Sequence, residues 1–471
     1  MDSISAFDII KVGIGPSSSH TMGPWKAAQL FIKRLEKLHL LEKTLQIRVE
    51  LFGSLAKTGH GHGTDIAVLL GLDGEDYTLI DTNLVDEKVA RIKHEKTIHL
   101  SQNKAIAFDY ENDLIFHFDE SLPFHPNGIL FQAWLSSDDI FEEKYYSVGG
   151  GFVVQENENQ DVVFKIITPF PCHDAATIEK HCKEKNISVS DLVKLNELTW
   201  RSAEDIDNQC LILWKEIKNA IYRGCHKGGI LPGGLNVERR AAKINKHLLY
   251  DTQYDSVEKW VRAVRSTGNG FTNINKWISC FALAVNEENA SFGRIVTAPT
   301  NGAAGVLPAV LMYAYCFTEN FTEEKIIRFL LTAGEIGTLF KKKATISAAM
   351  GGCQAEIGVS SSMAAAGLTE ALGGSVGQVL MAAEIAMEHH LGLTCDPIGG
   401  LVQIPCIERN SMGAMKAITA SNIAFESDPE NARVSLDEVI LSMWKTALDM
   451  NSKYKETSEG GLAVSVNVAE C

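Results

Sequence analysis

Two stretches, MGGCQAEIGVSSSMAAAG at 350–367 and LGLTCDPIGGLVQIPCIERN at 391–410, are the most distinctive part of this chain. They hold three cysteines, Cys353, Cys395 and Cys406, in a setting rich in Gly, Ala and Ser. Each cysteine has a Gly or Pro within two positions, which is typical of loops and turns. A small-residue segment with helical character joins the two stretches. We therefore expect the rest of the chain to be organised around a site at these three thiols.

The composition is that of an ordinary globular protein, with 471 residues, 45% of them hydrophobic and 22% charged. This length predicts two or three domains. The net charge of −15 argues against a nucleic-acid partner, because phosphate binding needs a basic surface. No secretory signal is visible at the start of the chain. The uncharged stretch 295–317 contains Pro299 and Pro308, which would break a membrane-spanning helix. We expect a cytoplasmic enzyme with no membrane partner.

The periodicity of the apolar residues changes about one third of the way along the chain. Before it, Ile47–Leu51 and Leu114–Phe118 alternate like strands, and Trp25–Leu38 has the one-face spacing of a helix. After Pro169 and Pro171 the pattern is almost wholly helical. This predicts an α+β protein, with an N-terminal α/β module at 1–168, a linker at 169–190, a mostly α-helical catalytic domain at 191–455 and a C-terminal tail at 456–471.

Three polar or Gly-rich loops precede predicted helices and could face a ligand. A hydroxyl cluster around His20 is either a helix cap or a loop that binds a small anion. The GHGHG loop at 59–63 offers His60 or His62 as an acid or base, or holds a structural histidine. In TAPTNGAAGVLP at 297–308, Asn301 and Gly302 either let backbone N–H groups approach a carboxylate or allow close helix packing.

The spacing of Cys353, Cys395 and Cys406 matches neither zinc sites nor ferredoxins. Three thiolates would nevertheless leave one iron of a four-iron cluster open, which is a catalytic arrangement by analogy with zinc enzymes. We therefore predict an iron–sulfur cluster at these positions. We expect six other cysteines to be ordinary buried side chains that act as small apolar residues. They are Cys172, Cys182, Cys210, Cys225, Cys280 and Cys316.

Several long strings give the chain a specific resemblance along nearly its whole length. The sequence resembles the iron–sulfur L-serine dehydratases, or L-serine ammonia-lyases, in their single-chain form. The resemblance implies a 4Fe–4S cluster on Cys353, Cys395 and Cys406, conversion of L-serine to pyruvate and ammonia, and a homodimer. The matching strings are GPSSSHTMGPWKAA at 15–28, GSLAKTGHGHGTDIA at 53–67, GRIVTAPTNGAAGVLPAVL at 293–311, GGCQAEIGVSSSMAAAG at 351–367 and LGLTCDPIGGLVQIPCIERN at 391–410.

The same resemblance implies roles for individual residues. His62 is expected to be the base and His20 to place the substrate or protonate the leaving group, and the reverse assignment stays open. Cys471 is expected to occupy the fourth iron site at rest, because its carboxylate and thiol resemble the carboxylate and hydroxyl of serine. The expected substrate-binding residues are Ser18, Ser19, Thr21, Asn301, Gly302 and Gly352.

Three other interpretations are compatible with parts of the sequence. An iron–sulfur redox sensor would need the cysteines but gives no reason for the two histidine loops. A pyridoxal-phosphate deaminase would need a Schiff-base lysine and a phosphate cup. The third interpretation makes the N-terminal module a regulatory amino-acid-binding domain, with catalysis elsewhere. Since His20 and His62 lie in that module, they would have to reach the cluster across a domain interface.

Overall fold

In the computed structural model, which describes residues 3–156, 166–250 and 252–466, strands are concentrated in the first third of the chain. They form a five-stranded mixed sheet and two two-stranded ladders among these residues. The strands are β1 Lys11–Ile14, β2 Gln46–Phe52, β3 Thr97–Leu100, β4 Lys104–Ala107, β5 Leu114–His117, β6 Gly128–Trp134, β7 Ile140–Ser147, β8 Val153–Gln155 and β9 Arg294–Thr297.

The five-stranded sheet has the order β5-β2-β6-β7-β8. Strand β2 is parallel to β5 and antiparallel to β6. Its alternating side chains Ile47, Val49 and Leu51 are fully buried, as expected for a strand with one face on a core. Helices α2, α4 and α5 contribute most of the apolar side chains that share this core. The helices up to β5 are α1 Ala6–Ile9, α2 Gly23–Lys37, α3 Ser54–Lys57, α4 Thr64–Leu72, α5 Val85–Glu95 and α6 Tyr110–Asp113.

The remainder of the described chain is mostly helical and has its own large apolar core. Its helices are α7 Ala175–Lys185, α8 Val189–Glu197, α9 Ala203–His226, α10 Ala241–Leu249, α11 Val257–Ser266, α12 Phe271–Asn289, α13 Val306–Phe317, α14 Glu323–Lys343, α15 Ala348–Gly351, α16 Ile357–Ala371, α17 Val376–Glu388, α18 Cys406–Phe425, α19 Leu436–Asp449 and α20 Leu462–Ser465. The α+β fold class predicted from the sequence is confirmed.

Helix α16 lies at the centre of the helical region, and every one of its residues is buried. Its Ala, Gly and Ser residues let α13, α14, α17 and α18 approach closely. The Ser360, Ser361 and Ser362 hydroxyls donate to backbone carbonyls of neighbouring segments, so they are satisfied inside the core. The loop before α16 and the start of α18 carry two of the three cysteines, so this packing fixes their positions.

The first residues of the chain cross over to the helical region. Helix α1 packs on α14, and β1 pairs antiparallel with β9, with Val12 opposite Val296. Ile9 and Ile10 belong to the helical core rather than to the core under the sheet. The two halves are therefore joined by backbone hydrogen bonds, directly before the loop that carries His20. Within the described ranges, no helix has the length and apolarity needed to span a membrane.

Candidate active site

The three cysteines predicted from the sequence lie together in the folded chain. Cys353 sits in a 3₁₀ turn before α16, Cys395 in the segment after α17, and Cys406 at the first position of α18. All three are buried free thiols. The ligand atoms of Cys353, Cys395 and Glu356 lie within 4.8 Å of one another.

Electrostatics at the thiols favour one thiolate. The hydrogen bond from Cys395 and the nearby Arg409 lower the pKa of Cys353. The same bond with Cys353, together with burial, raises the pKa of Cys395 well above its usual value. Burial, followed by the charge of Cys353, raises the pKa of Cys406 in the same way. A bound metal would remove the remaining protons, because thiolates are the ligand form.

Arg409 fixes this cluster from one side. Its Nη1 donates to Cys353 Sγ at 3.3 Å and to the Thr394 carbonyl at 2.6 Å. Its Nη2 donates to Asp396 Oδ1 at 3.0 Å. The guanidinium therefore ties the turn of Cys353 to the segment of Cys395 and holds positive charge beside the sulfur.

A strap near the C-terminus, which we define as residues 454–462, closes the site from the other side. Cys395 N–H donates to the Tyr454 carbonyl at 2.8 Å, and Glu456 N–H donates to the Cys395 carbonyl at 2.9 Å. Leu462 N–H donates to Asp396 Oδ2 at 2.8 Å. The strap thus fixes the backbone of Cys395 and the side chain of Asp396. Cys471 lies outside the described residues.

The two predicted catalytic histidines are adjacent and fully buried. Their ring centroids are 4.5 Å apart. His20 lies in a π-helical turn at Ser18–Met22 that leads directly into α2. The Thr21 hydroxyl donates to the His62 carbonyl at 2.8 Å, and the Thr64 hydroxyl donates to the His20 carbonyl at 2.7 Å. These reciprocal bonds lock the two loops together.

The two imidazoles differ in their partners. His20 Nδ1 hydrogen-bonds with Ser19 Oγ at 2.9 Å, and Nε2 with Ser54 Oγ at 3.0 Å. Both ring nitrogens of His62 are buried and have no hydrogen-bond partner among the described residues. Burial lowers the pKa of His62 to about 4 and, with the neighbouring His62, lowers that of His20 well below its usual value. Both rings are therefore neutral at pH 7.

Two glutamates that the sequence analysis did not identify complete the site. Glu456 Oε1 lies 3.7 Å from His20 Nδ1, and its Oε2 is buried without a partner in the described chain. Burial, and then the neighbouring Glu356, raise the pKa of Glu456 well above its usual value. Burial raises the pKa of Glu356 to about 7. Glu356 stands in the GGCQAEIGVSSSMAAAG string without a local sign of its role, Glu456 belongs to no recognisable motif, and only the fold brings the two acids together.

Cys395, Cys406, His62 and both glutamates face one small cavity. The loop of His62 reaches it because Gly61 packs on the turn Ile398–Gly400, where a Cβ on Gly61 would lie 2.8 Å from the Gly400 carbonyl oxygen. The cavity is lined by Ser17, His62, Gly302, Glu356, Cys395, Pro397, Val402, Cys406 and Glu456.

The predicted substrate-binding residues lie in different places around this cavity. Gly302 lines it directly. Ser19 and Thr21 hold the histidines, as described above. Ser18 is buried in the π-helical turn. Both ends of the Asn301 amide are used within the protein, by the Thr297 hydroxyl and the Ile14 carbonyl.

Gly352 lies at the turn that carries Cys353. Its φ of +69° favours glycine, and a Cβ there would lie 2.8 Å from the Leu393 carbonyl oxygen. This close approach brings the Cys353 turn against the segment before Cys395. Ser17, which lines the cavity, was not singled out as a binding residue in the sequence analysis, although it stands in the same hydroxyl cluster.

Comparison with known proteins gives two family matches that together span most of the chain. The description "Serine dehydratase beta chain" matches residues 5–158, and "Serine dehydratase alpha chain" matches residues 184–463. Similar proteins cover the chain almost from end to end. An L-serine dehydratase of Streptomyces coelicolor is 47% identical, over 99% of this chain and all of the relative.

Two further relatives have comparable similarity. The L-serine dehydratase TdcG of Escherichia coli is 46% identical, over 98% of this chain and 99% of its own length. An L-serine dehydratase of Mycobacterium tuberculosis is 45% identical, over 99% of this chain and all of its own length. On this evidence the chain belongs to the serine dehydratase family of lyases, with the beta-chain and alpha-chain regions on one polypeptide.

Proposed function

We propose that this protein dehydrates and deaminates L-serine to pyruvate and ammonia at the cavity described above. The observation that carries the proposal is a single cavity lined by two buried thiols and by a neutral His62 that has no hydrogen-bond partner in the described chain. The third thiol, that of Cys353, lies within 4.8 Å of the Cys395 sulfur. In this proposal the thiols bind the metal and His62 accepts the proton.

We propose that Cys353, Cys395 and Cys406 hold a 4Fe–4S cluster. The donor set fits such a group, because the three sulfurs are soft ligands that lie in one buried place. The hydrogen bond from Cys395 and the charge of Arg409 lower the pKa of Cys353 and so favour its thiolate form. When bound, the cluster supplies an open iron that acts as a Lewis acid on the serine hydroxyl.

His62 removes the α-proton in this proposal. A general base must be in its neutral form and have a free nitrogen toward the substrate. The low pKa of His62, caused by burial, meets the first condition, and its two unpartnered nitrogens meet the second. In His20 both nitrogens are already engaged by hydroxyl groups, so it is less suited to take a proton from carbon.

His20 then has a positioning and proton-carrying role. Its hydrogen bonds to Ser19 and Ser54 form a chain beside His62 that can deliver a proton to the departing hydroxyl group. Gly302 and Ser17 line the cavity where the substrate carboxylate would bind. Loss of the α-proton and of water leaves aminoacrylate, which tautomerises and is hydrolysed to pyruvate and ammonia.

Cys471 is proposed to compete with the substrate at rest. The strap anchors Leu462 at Asp396, beside Cys395. Helix α20 occupies Leu462–Ser465, and the six residues after it can span roughly 20 Å when extended. If deletion of Cys471 leaves activation by L-serine unchanged, this self-inhibition proposal fails.

The decisive experiment is anaerobic purification followed by iron and sulfide analysis and a pyruvate assay with L-serine. We expect about four irons per chain and serine-dependent pyruvate. Cys406→Ser should lose both, whereas Cys316→Ser, at a buried cysteine outside the site, should keep both. Iron without turnover would favour a redox sensor, and turnover without iron would refute the cysteine assignment.

A further inference from the structure

Glu356 is an acidic residue of the cavity that lies next to the cysteine turn. It is the residue immediately before α16, and its side chain lines the cavity together with Cys395, Cys406 and Gly302. Its N–H donates to the Cys353 carbonyl at 3.1 Å, which fixes its backbone to the thiol turn. The carboxyl group is thus held at the place where a substrate would meet the cysteines.

No cation of the described chain forms an ion pair with Glu356. Arg409, the cation beside Cys353, instead binds Asp396, the Thr394 carbonyl and the sulfur. The other acid of the cavity, Glu456, is close enough to add repulsion. A carboxylate taken out of water without a counter-charge is costly, so a fold that keeps one at its cavity is expected to gain a cation from outside.

The space beside the carboxyl group is kept open by Gly302. A Cβ at this position would lie 2.7 Å from Glu356 Oε2 and 3.2 Å from Glu356 Cδ. Any side chain there would fill the approach to that oxygen. Glycine therefore leaves room for a small donor group next to the carboxylate.

We propose that Glu356 binds the α-ammonium group of the substrate and so selects amino acids over hydroxy acids. This inference rests on the proposed function, because it assigns a subsite within that cavity. An ammonium group has three donors and a full charge, which match a carboxylate that has no cation of its own. His62 and the cysteines remain free for the α-proton and the hydroxyl group.

L-Glycerate provides a matched probe of this assignment. It has the carboxylate and the β-hydroxyl group of L-serine, with a neutral hydroxyl group in place of the ammonium group. Binding of L-serine should therefore gain from Glu356, and binding of L-glycerate should not. The ratio of the two affinities reports on the ammonium subsite alone.

The test compares the wild-type holoenzyme with Glu356→Gln, which preserves the shape of the side chain and removes its charge. Calorimetric binding of both ligands is measured together with turnover of L-serine. We expect affinity for L-serine to fall about 30-fold or more, the effect of removing one partner of a buried charge pair. Affinity for L-glycerate should stay the same or rise.

Glu335→Gln is the matched control, because Glu335 is also a buried acid but lies on α14, outside the cavity. It should leave the affinity ratio unchanged. A Glu356→Gln protein that keeps its iron and its preference for L-serine overturns the assignment. Loss of iron in Glu356→Gln alone also overturns it, because Glu356 would then serve the cluster. A wild-type protein that binds L-serine without forming pyruvate refutes the proposed function but still tests the subsite.

Discussion

His62 is the single residue on which the proposed chemistry depends most directly. Its ring is buried against His20, its pKa is lowered to about 4 by burial, and neither ring nitrogen has a partner in the described chain. An imidazole in this state is costly for folding alone, because buried polar atoms are normally hydrogen-bonded. The unpartnered nitrogens of His62 are explained if one of them accepts a proton from the substrate.

We predict that His62→Ala lowers kcat for pyruvate formation by roughly 10²–10⁴-fold, the usual effect of losing a general base. The matched control is His60→Ala in the same loop, where the side chain is 59% exposed and stacks on Phe116. That variant should stay within a few-fold of wild type. A loss smaller than tenfold in His62→Ala would exclude this residue as the base.

The sequence predicted some of the site residues and could not predict others. His20 and His62 stand in recognisable Ser-rich and Gly-rich loops; in the structure His62 lines the cavity and His20 lies against it. Glu356 stands in one of the matching strings, but nothing local marks it as a site residue. Glu456 lies 100 positions later and meets it only in the folded chain. The missing information is the long-range packing of the strap against the cysteines.

A second residue-scale prediction concerns His125, whose Nδ1 accepts a hydrogen bond from the Asn127 N–H at 3.1 Å. Burial, and then Lys341, lower the pKa of His125 to about 4. Below the unfolded-state pKa of about 6.5 the unfolded chain therefore binds more protons than the folded one, so stability falls as pH falls from there toward 4.

His125→Asn keeps an acceptor at the same distance from the backbone but does not titrate. Relative to this variant, the wild type should lose up to about 3 kcal/mol of unfolding free energy between pH 7 and pH 4. The measurement is chemical denaturation at several pH values. Parallel curves for the two proteins would contradict the prediction.

At the scale of elements, helix α16 shows how small residues position the site. Its neighbours approach so closely that a Cβ on Gly367 would lie 2.7 Å from the Phe329 carbonyl oxygen of α14. This backbone atom cannot move aside as a side chain could. The cysteine turn before α16 therefore depends on the absence of bulk along the helix.

We predict that Gly367→Ala destabilises the protein by about 1–2 kcal/mol, because overpacking outweighs the better helix propensity of Ala. Gly228→Ala is the control, since a Cβ there meets nothing within 4 Å. The control should unfold within about 0.5 kcal/mol of wild type in chemical denaturation. Equal stability of the two variants would show that α14 and α16 can separate at no cost.

The elements themselves were predicted with uneven success. The strand at 47–51 and the helix at 25–38 are confirmed as β2 and α2, within two residues at each end. The short strand β9 was missed, because four residues inside a helical region give too little alternation. The three serines at 360–362 stand close in sequence to Cys353, and the structure shows that their hydroxyls satisfy backbone carbonyls in the core.

For the whole molecule, the main finding is that the start of the chain belongs to the helical core. Ile9 and Ile10 are buried there, and β1 pairs with β9. The loop of His20 follows β1 directly, so this pairing determines where the histidines sit relative to the cysteines. The sequence could not reveal it, because no local pattern says which sheet a four-residue strand will join.

We predict that Ile9→Ala weakens the helical region before the sheet. The loss of buried volume should cost about 2–5 kcal/mol, and amide hydrogen exchange should increase first in α14, on which α1 packs. Ile47→Ala is matched, because both isoleucines are fully buried. That variant should increase exchange in β2 and β6 instead. The same exchange pattern in both variants would contradict separate cores.

The strap has a consequence for the order of events in the cell. Its residues 454–462 supply Glu456 to the cavity and hold Cys395 and Asp396 in place. Lys57 of α3 also pairs with Glu459, so the strap closes over the histidine side as well. In the sequence these residues follow all the other residues that line the cavity. During synthesis the cavity therefore has all its walls only after the strap has emerged, and a cofactor can be enclosed only from that point on.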